Sequence, residues 1–257
     1  MSTFTEWKPA ASLAMFPNPS PACLRECAAA GVQAVEVYSP LLKDADEFVK
    51  LSRETGVELW STHLPFSGEL DISRGDEFAE KTVESHEEWL RIAANAGFKV
   101  AVVHPSAEPI ADPDRPARLA RSRENLMRLA SFAKALGMRL AVEDLPRTCL
   151  GHTSDDINFL LCGNPDLGIC FDTNHLLMED NLNFVKRLGS RIITLHVSDY
   201  DFIDERHLLP GEGKNNWVGI ADALEEAGYN GPWMNELSSK KGYTAADVVR
   251  AKNAIRA

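Results

Sequence analysis

A single-domain (β/α)8 TIM barrel of the α/β class, spanning residues 1–257, is the fold the sequence predicts, on three observations. Eight short apolar runs alternate with longer amphipathic stretches along the chain. The runs are almost uninterrupted in hydrophobic residues, as parallel strands covered on both faces are. No low-complexity stretch or long linker divides the units into two domains. A doubly wound open sheet shares the alternation, but the GxGxxG turn that a dinucleotide fold places after its first strand is absent.

Taken in order, the strands are placed where β-branched and apolar residues cluster between turn formers. Strand one is SLAMF (12–16), ahead of a proline-rich turn. Strand two is QAVEVY (33–38), behind Gly31, and strand three is VELWSTH (57–63), behind Gly56. KVAVVH (99–104) and RLAVED (139–144) follow, each after a long helical stretch, 76–97 and 114–137, that closes on a glycine. LGICFD (167–172), IITLHV (192–197) and WMNEL (233–237) complete the set. Gly31, Gly56, Gly97, Gly137, Gly189 and Gly228 stand where a helix end favours a left-handed residue.

Composition narrows the function. At 44% hydrophobic and 25% charged, the 257 residues are composed like a soluble globular protein with a substantial core. A net charge of −11 opposes nucleic acid as a partner, because that affinity comes mostly from Lys and Arg neutralising phosphates. The N-terminal stretch lacks the basic start and apolar run of a signal peptide, and no run nears the ~20 residues of a membrane helix. No membrane partner is expected, and the expected location is cytoplasmic. Cys23, Cys27, Cys149, Cys162 and Cys170 show no CxxC pairing, against both a disulfide framework and a thiolate zinc site. The oligomeric state stays open, a homo-oligomer included.

In such a barrel the site is assembled at the C-terminal strand ends, so a polar residue terminating an apolar strand is a candidate. Glu36, His63, His104, Glu143, Asp172, His196 and Glu236 stand at or near the ends of strands two to eight. His175 comes three residues after Asp172, and His207 lies in the loop after strand seven. Alternation puts Glu143 on one face with Ala141, Asp172 with Cys170, His196 with Thr194 and Glu236 with Met234. Strands five to eight are neighbours at steps of about 4.8 Å, so these four side chains can converge in the mouth. Three carboxylates gathered there repel one another unless a cation is present, and a carboxylate and imidazole set suits Mn²⁺, Zn²⁺, Co²⁺ or Mg²⁺. One divalent metal ion is the expected cofactor. A lone buried histidine is more often a hydrogen-bonded core residue than a ligand, so the four-strand set carries the expectation rather than Glu36 or His63 singly.

The segments VEDLP (142–146), CFDTNH (170–175), LHVSD (195–199), DERHLLPGEG (204–213) and NEL (235–237) fall in that order at strand ends. Together they resemble the sugar phosphate isomerase/epimerase family of the xylose isomerase-like TIM-barrel superfamily, of the AP endonuclease family 2 type, over nearly the whole chain. The resemblance implies metal ligation by Glu143, Asp172, His196 and Glu236, proton transfer by Glu143 and Glu236, and substrate contacts from His175 and Arg206. His63, His104, His207 and Glu36 join the expected substrate-binding set. Trp60 and Phe66, flanking His63, are read either as an apolar wall over the substrate or as ordinary packing.

The implied activity is that of a metal-dependent isomerase or epimerase acting on a small sugar or keto-polyol by proton transfer through an enediolate. An inosose dehydratase-type lyase would use the same metal set. An endonuclease IV-like zinc phosphodiesterase would add His63, His104, His175 and His207 as ligands. Glu205 stands where that group has Asp, and the acidic segments SGELDISRGDE (67–77) and SDYDFIDERH (198–207) would repel DNA. A non-catalytic binding protein on the same scaffold is the remaining reading. LPGEGKNNW (209–217) offers either backbone amides for a phosphate or a turn that places Glu212, with Arg147 and Lys214 the nearest cations.

Overall fold

A computed structural model describes residues 3–257 and centres on one parallel sheet of eight strands. These are β1 (Pro9–Ser12), β2 (Ala34–Tyr38), β3 (Glu58–His63), β4 (Val100–Val103), β5 (Arg139–Glu143), β6 (Leu167–Asp172), β7 (Ile192–His196) and β8 (Trp233–Asn235). Strands pair in sequence order from β1 to β7, and β1 also pairs with β8. The circle closes where Val197, just past β7, bridges Asn235. Each strand is followed by a helix: α1 (Cys23–Ala30), α2 (Ala45–Thr55), α3 (Glu77–Ala96), α4 (Arg115–Ala135), α5 (Ser154–Leu161), α6 (Asn181–Leu188), α7 (Trp217–Glu226) and α8 (Ala245–Ala254). The chain is the (β/α)8 TIM barrel its alternation predicts.

Outward strand residues such as Val37, Ala101, Val142 and Phe171 are buried with Phe48, Leu126 and Phe184 of the helices. That burial, at about 25 cal/mol per Å² of apolar area, fixes the helices against the barrel wall and so fixes the strand ends. Inside the barrel, Ala10, Ala34 and Met234 form one small cluster and Val100, Val102, Ala141, Cys170 and Ile193 another, with Trp60 against both.

Two bulges decide which side chains point inward. The register shifts between Val35 and Glu36, so Glu36 pairs with Ser61 and Trp60 is the extra residue of β3. A second shift between Ile169 and Cys170 leaves Ile193 as the extra residue of β7. Ile193 fills the space Gly168 leaves, where a Cβ would lie 2.5 Å from its Cδ1.

Two local expectations are corrected. The run SLAMF begins where β1 ends: the Ser12 hydroxyl accepts from the Ala14 amide and caps a 3₁₀ turn over Leu13–Met15. Leu13 and Met15 are buried, which makes a turn look like a strand. Gly31, Gly56, Gly97, Gly137 and Gly228 are left-handed, with φ from 76° to 92°, but Gly189 has φ −54°. Its small size serves packing instead, since a Cβ there would lie 2.7 Å from that of Ala227. Among the described residues, no helix is long and apolar enough to cross a membrane.

Candidate metal centre

The four expected ligands converge. Donor atoms of Glu143, Asp172, His196 and Glu236 all lie within 4.8 Å of one another at the C-terminal mouth of the barrel. Register brings this about: Glu143 pairs with Cys170 and Asp172 with His196, so successive strand tips reach one opening. Glu236 follows the end of β8, its amide on the Val197 carbonyl.

Glu143 is the hub. Its Oε1 lies 3.0 Å from His196 Nδ1 and 3.6 Å from His175 Nδ1, and its Oε2 lies 3.1 Å from His63 Nε2 and 3.2 Å from His104 Nε2. Burial works to raise its carboxyl, but the His196 and His104 imidazoles overcome this and hold it well below the usual range. Glu36 is buried behind the hub, 3.0 Å from His196 Nε2, and accepts from the Ser61 hydroxyl at 2.8 Å. Desolvation raises it, and His196 again outweighs that and lowers it. Asp172 is less well supported: its Oδ1 accepts from the Asn174 amide at 2.7 Å, and His175 Nε2 lies 3.5 Å from its Oδ2. Burial pushes its carboxyl up to about 6, and its Oδ2 has no hydrogen-bond partner. A buried carboxylate oxygen without a hydrogen bond is costly unless it is protonated or meets a cation.

Two of the imidazoles share an orientation. His63 Nδ1 bonds the Leu64 carbonyl at 2.8 Å and His175 Nδ1 bonds the Asp144 carbonyl at 2.7 Å, so both donate from Nδ1. Their Nε2 atoms face carboxylates: His63 faces Glu143, while His175 faces Glu205 at 3.0 Å and Asp172 at 3.5 Å. A lone pair aimed at a carboxylate is repulsive, so each ring carries a second proton or shares a cation with its partner. His175, Glu205 and His207 make a further three-donor group within 4.8 Å. Burial lowers His207, but Glu205 and Glu236 more than reverse this and bring it to about 9.

Glu36, His63, His104, His175 and His207 thus join the four at the mouth, but Trp60 and Arg206 do not. The β3 bulge turns Trp60 into the barrel interior, where its Nε1 donates to the Thr194 hydroxyl at 3.1 Å. The Arg206 guanidinium lies outside, 2.9 Å from Asp201, and only its amide, donating to Asn174 Oδ1, reaches toward the site. The glycine-rich segment also has another role: Gly211 and Asn215 donate their amides to Asp199, and Glu212 accepts from the Tyr243 hydroxyl. Arg147 borders the mouth but is held by Glu108, Asp204 and Glu205. Rim acids are paired likewise, Asp71 with Arg118 and Asp201 with Arg206, so the rim is less negative than its loop sequences predict.

Two cavities open over the centre. One of about 430 Å³ is bordered by Glu143, His104, His175, Arg147, Glu205 and His207. The other, about 400 Å³, is bordered on the β1 and β2 side by Phe16, Pro17, Pro19, Tyr38 and Leu41. His63, Phe66 and Glu236 border both. Phe66 stacks on His104 at 4.0 Å between ring centres and meets Tyr38 edge-on at 6.3 Å. It stands where the wall expected of Trp60 and Phe66 belongs. The second cavity escapes the sequence because reading strand one three residues late assigns Phe16 to a strand instead of the loop that builds the site. Asp144 also escapes: strand alternation turns it away from Glu143, yet its carboxylate accepts the Asp172 amide at 2.8 Å and its carbonyl orients His175.

Residues 24–256 match the family described as xylose isomerase-like TIM barrel. The chain is 27% identical over 203 residues to the uncharacterised protein MJ1311 of Methanocaldococcus jannaschii, covering 76% of this chain and 68% of that one. It is 28% identical over 123 residues to fructoselysine 3-epimerase of Shigella flexneri, a match covering 46% of this chain and 45% of that enzyme. Among solved structures, a D-tagatose 3-epimerase-like protein shares the fold at TM-score 0.83 and 24% identity, over 96% of this chain and 95% of that one.

Proposed function

The chain belongs to the xylose isomerase-like TIM barrel family, and from that premise we propose that it is a divalent-metal-dependent isomerase or epimerase of a small keto-sugar. The observation that carries the proposal is the convergence of Glu143, Asp172, His196 and Glu236. The similarity to a fructoselysine epimerase supports a sugar as the substrate class.

The donor set fits a divalent ion. Three carboxylates and an imidazole are ligand types shared by Mn²⁺, Zn²⁺, Co²⁺ and Mg²⁺, and Asp172 Oδ2, which accepts no hydrogen bond, is an acceptor that such an ion would satisfy. Glu143, Asp172, His196 and Glu236 would hold it, and when bound it supplies Lewis acidity toward negative charge developing on substrate oxygens. Glu236 is half-buried and borders both cavities, and Glu143 borders the first from the β5 side. One of the pair, as carboxylate, removes the proton beside the carbonyl, and the other, as carboxylic acid, gives a proton to the enediolate, on the neighbouring carbon or the opposite face. His175, its Nδ1 fixed by the Asp144 carbonyl, would exchange the Glu205 partner of its Nε2 for a substrate oxygen. Phe66 and Leu145 exclude water from one side of the first cavity.

Protein supplied with manganese and incubated in D₂O with a panel of ketoses and inososes should place deuterium on a carbon beside a carbonyl, read by NMR. No exchange with any member, together with cleavage of abasic DNA, would replace this reading. One observation favours that second reading: His175, Glu205 and His207 form a further donor group, as a multi-metal phosphodiesterase requires. Elemental analysis separates the two, at one ion per chain for the isomerase and more for the phosphodiesterase.

Metal binding should weaken in acid. Asp172, raised to about 6, holds a proton that an entering ion must displace. A raised carboxyl binds more protons folded than unfolded between its ordinary 3.8 and about 6. The apoprotein therefore loses stability as pH rises through that window, and a bound ion offsets the loss. Manganese affinity measured by calorimetry should fall with each pH unit below ~6, the Asp172 proton alone accounting for up to about tenfold per unit. A flat profile through that window contradicts Asp172 as a ligand.

A further inference from the structure

The isomerase or epimerase reading concerns the polar cavity over Glu143 and leaves the neighbouring one without a role. Resting on that reading, we propose that the substrate is an unphosphorylated sugar bearing an apolar substituent, the sugar lying over Glu143 and Glu236 and the substituent in the cavity beside β1 and β2.

The two cavities are one opening divided by Phe66, since His63, Phe66 and Glu236 border both. Each alone, at about 430 and 400 Å³, lies within the ~300–1,000 Å³ range of sites that enclose a whole small ligand. A free hexulose over Glu143 therefore leaves the second cavity to water against Phe16, Pro17, Pro19, Tyr38 and Leu41. Ser12 and Ser239 also border the cavity, but water gains little against its apolar face, where an apolar group would displace it and cover these side chains. The cavity is also preformed. Pro17 and Pro19 fix the backbone, and the Ser12 cap holds the turn that precedes them, so little ordering is required on binding. The wall Phe66 is itself held by His104 and Tyr38, and it presents one ring to both halves of a two-part ligand.

Charge sets the remaining restriction. Among the residues bordering the second cavity there is no Lys or Arg, and its ionisable groups are Glu36, Tyr38, His63 and Glu236. The first cavity has one fixed cation, Arg147, and Glu108, Asp204 and Glu205 already hold it. The imidazoles of the first cavity are matched as well, His63 and His104 by Glu143, His175 by Glu205, and His207 by Glu205 and Glu236, so a phosphate would have to displace a carboxylate to gain a cation.

Calorimetry on the full chain supplied with manganese tests this with methyl β-D-glucopyranoside, phenyl β-D-glucopyranoside and methyl β-D-glucopyranoside 6-phosphate. The phenyl glycoside should bind about tenfold or more tightly than the methyl one, and the phosphate more weakly than either. Ala14→Phe, at an exposed turn residue bordering the second cavity, should fill that space and bring the phenyl-to-methyl ratio to within about twofold of unity. Its melting curve reports whether the variant is folded. Equal methyl and phenyl affinities, no binding of either, or a phenyl advantage that survives in folded Ala14→Phe would overturn the inference. The probes carry no carbonyl, so selectivity is read without turnover. Deuterium exchange into a plain ketose alongside equal affinities would remove the apolar subsite and leave the reaction standing. Selectivity without exchange in any ketose would do the reverse.

Discussion

Glu143→Gln should slow deuterium exchange into substrate by about 10³-fold or more and lower the manganese content of the purified protein, while the chain still folds cooperatively. The glutamine has nearly the same shape, so no cavity opens at the hub. It cannot act as a base at neutral pH, and loss of a positioned general base alone is worth ~10²–10⁴ in rate. The same change removes the charge shared by His63, His104, His175 and His196, which lie 3.0 to 3.6 Å from its two oxygens. Metal affinity falls with it, because the remaining set has two carboxylates rather than three. The fold tolerates the swap because an amide NH₂ can donate to an imidazole Nε2 that carries no proton. Exchange rates by NMR, metal content by elemental analysis and the denaturation midpoint check the three parts separately. Exchange within about tenfold of the unmodified protein would remove Glu143 from the proton-transfer pair.

The same residue shows why the site is so legible in sequence. Glu143 ends an apolar strand, and so do Asp172 and His196. In a parallel barrel a strand's last inward residue has one place to point, so identity and position together locate the mouth. What alternation cannot reveal is a bulge. Trp60 has the right type and neighbours for a wall, but one extra residue in β3 turns it into the barrel interior and gives its Nε1 to Thr194. Loops are harder for a related reason: the partners of a loop residue are distant in sequence. Arg206 sits within the expected motif yet pairs with Asp201, whereas Arg147, some sixty residues earlier, reaches Asp204 and Glu205 across the mouth. Strand one is misplaced because buried Leu13 and Met15 alternate as a strand would while belonging to a turn, and that error conceals the apolar cavity.

Asp199→Ala should destabilise the chain by about 3 kcal/mol, through donors left without a partner rather than through lost packing. The Asp199 carboxylate is fully buried and accepts four N–H groups: Tyr200 at 3.0 Å, Gly211 at 2.9 Å, Asn215 at 3.0 Å and the Trp217 indole at 2.9 Å. Charge-assisted bonds of this kind are stronger than neutral ones, and a methyl group satisfies none of the donors. Some of the loop reaches water after the change, since Gly211 is exposed and Asn215 half-buried, which keeps the loss below the sum of four deletions. For a chain of this length the melting temperature should fall by about 6–12 °C. Asp199→Asn gives the diagnostic comparison: it keeps one acceptor oxygen but turns an NH₂ toward two donors, so it should recover only part of the loss. Gly213→Ala should reproduce the damage from the other side, because its Cβ would lie 2.4 Å from Asp199 Oδ1 and 2.5 Å from the Tyr200 carbonyl. Since Asp199 also exchanges backbone hydrogen bonds with Leu208, it anchors both ends of the segment that carries Glu205 and His207. If denaturation instead finds Asp199→Ala and Gly213→Ala within about 0.5 kcal/mol of the unmodified chain, Asp199 is not the anchor of that segment.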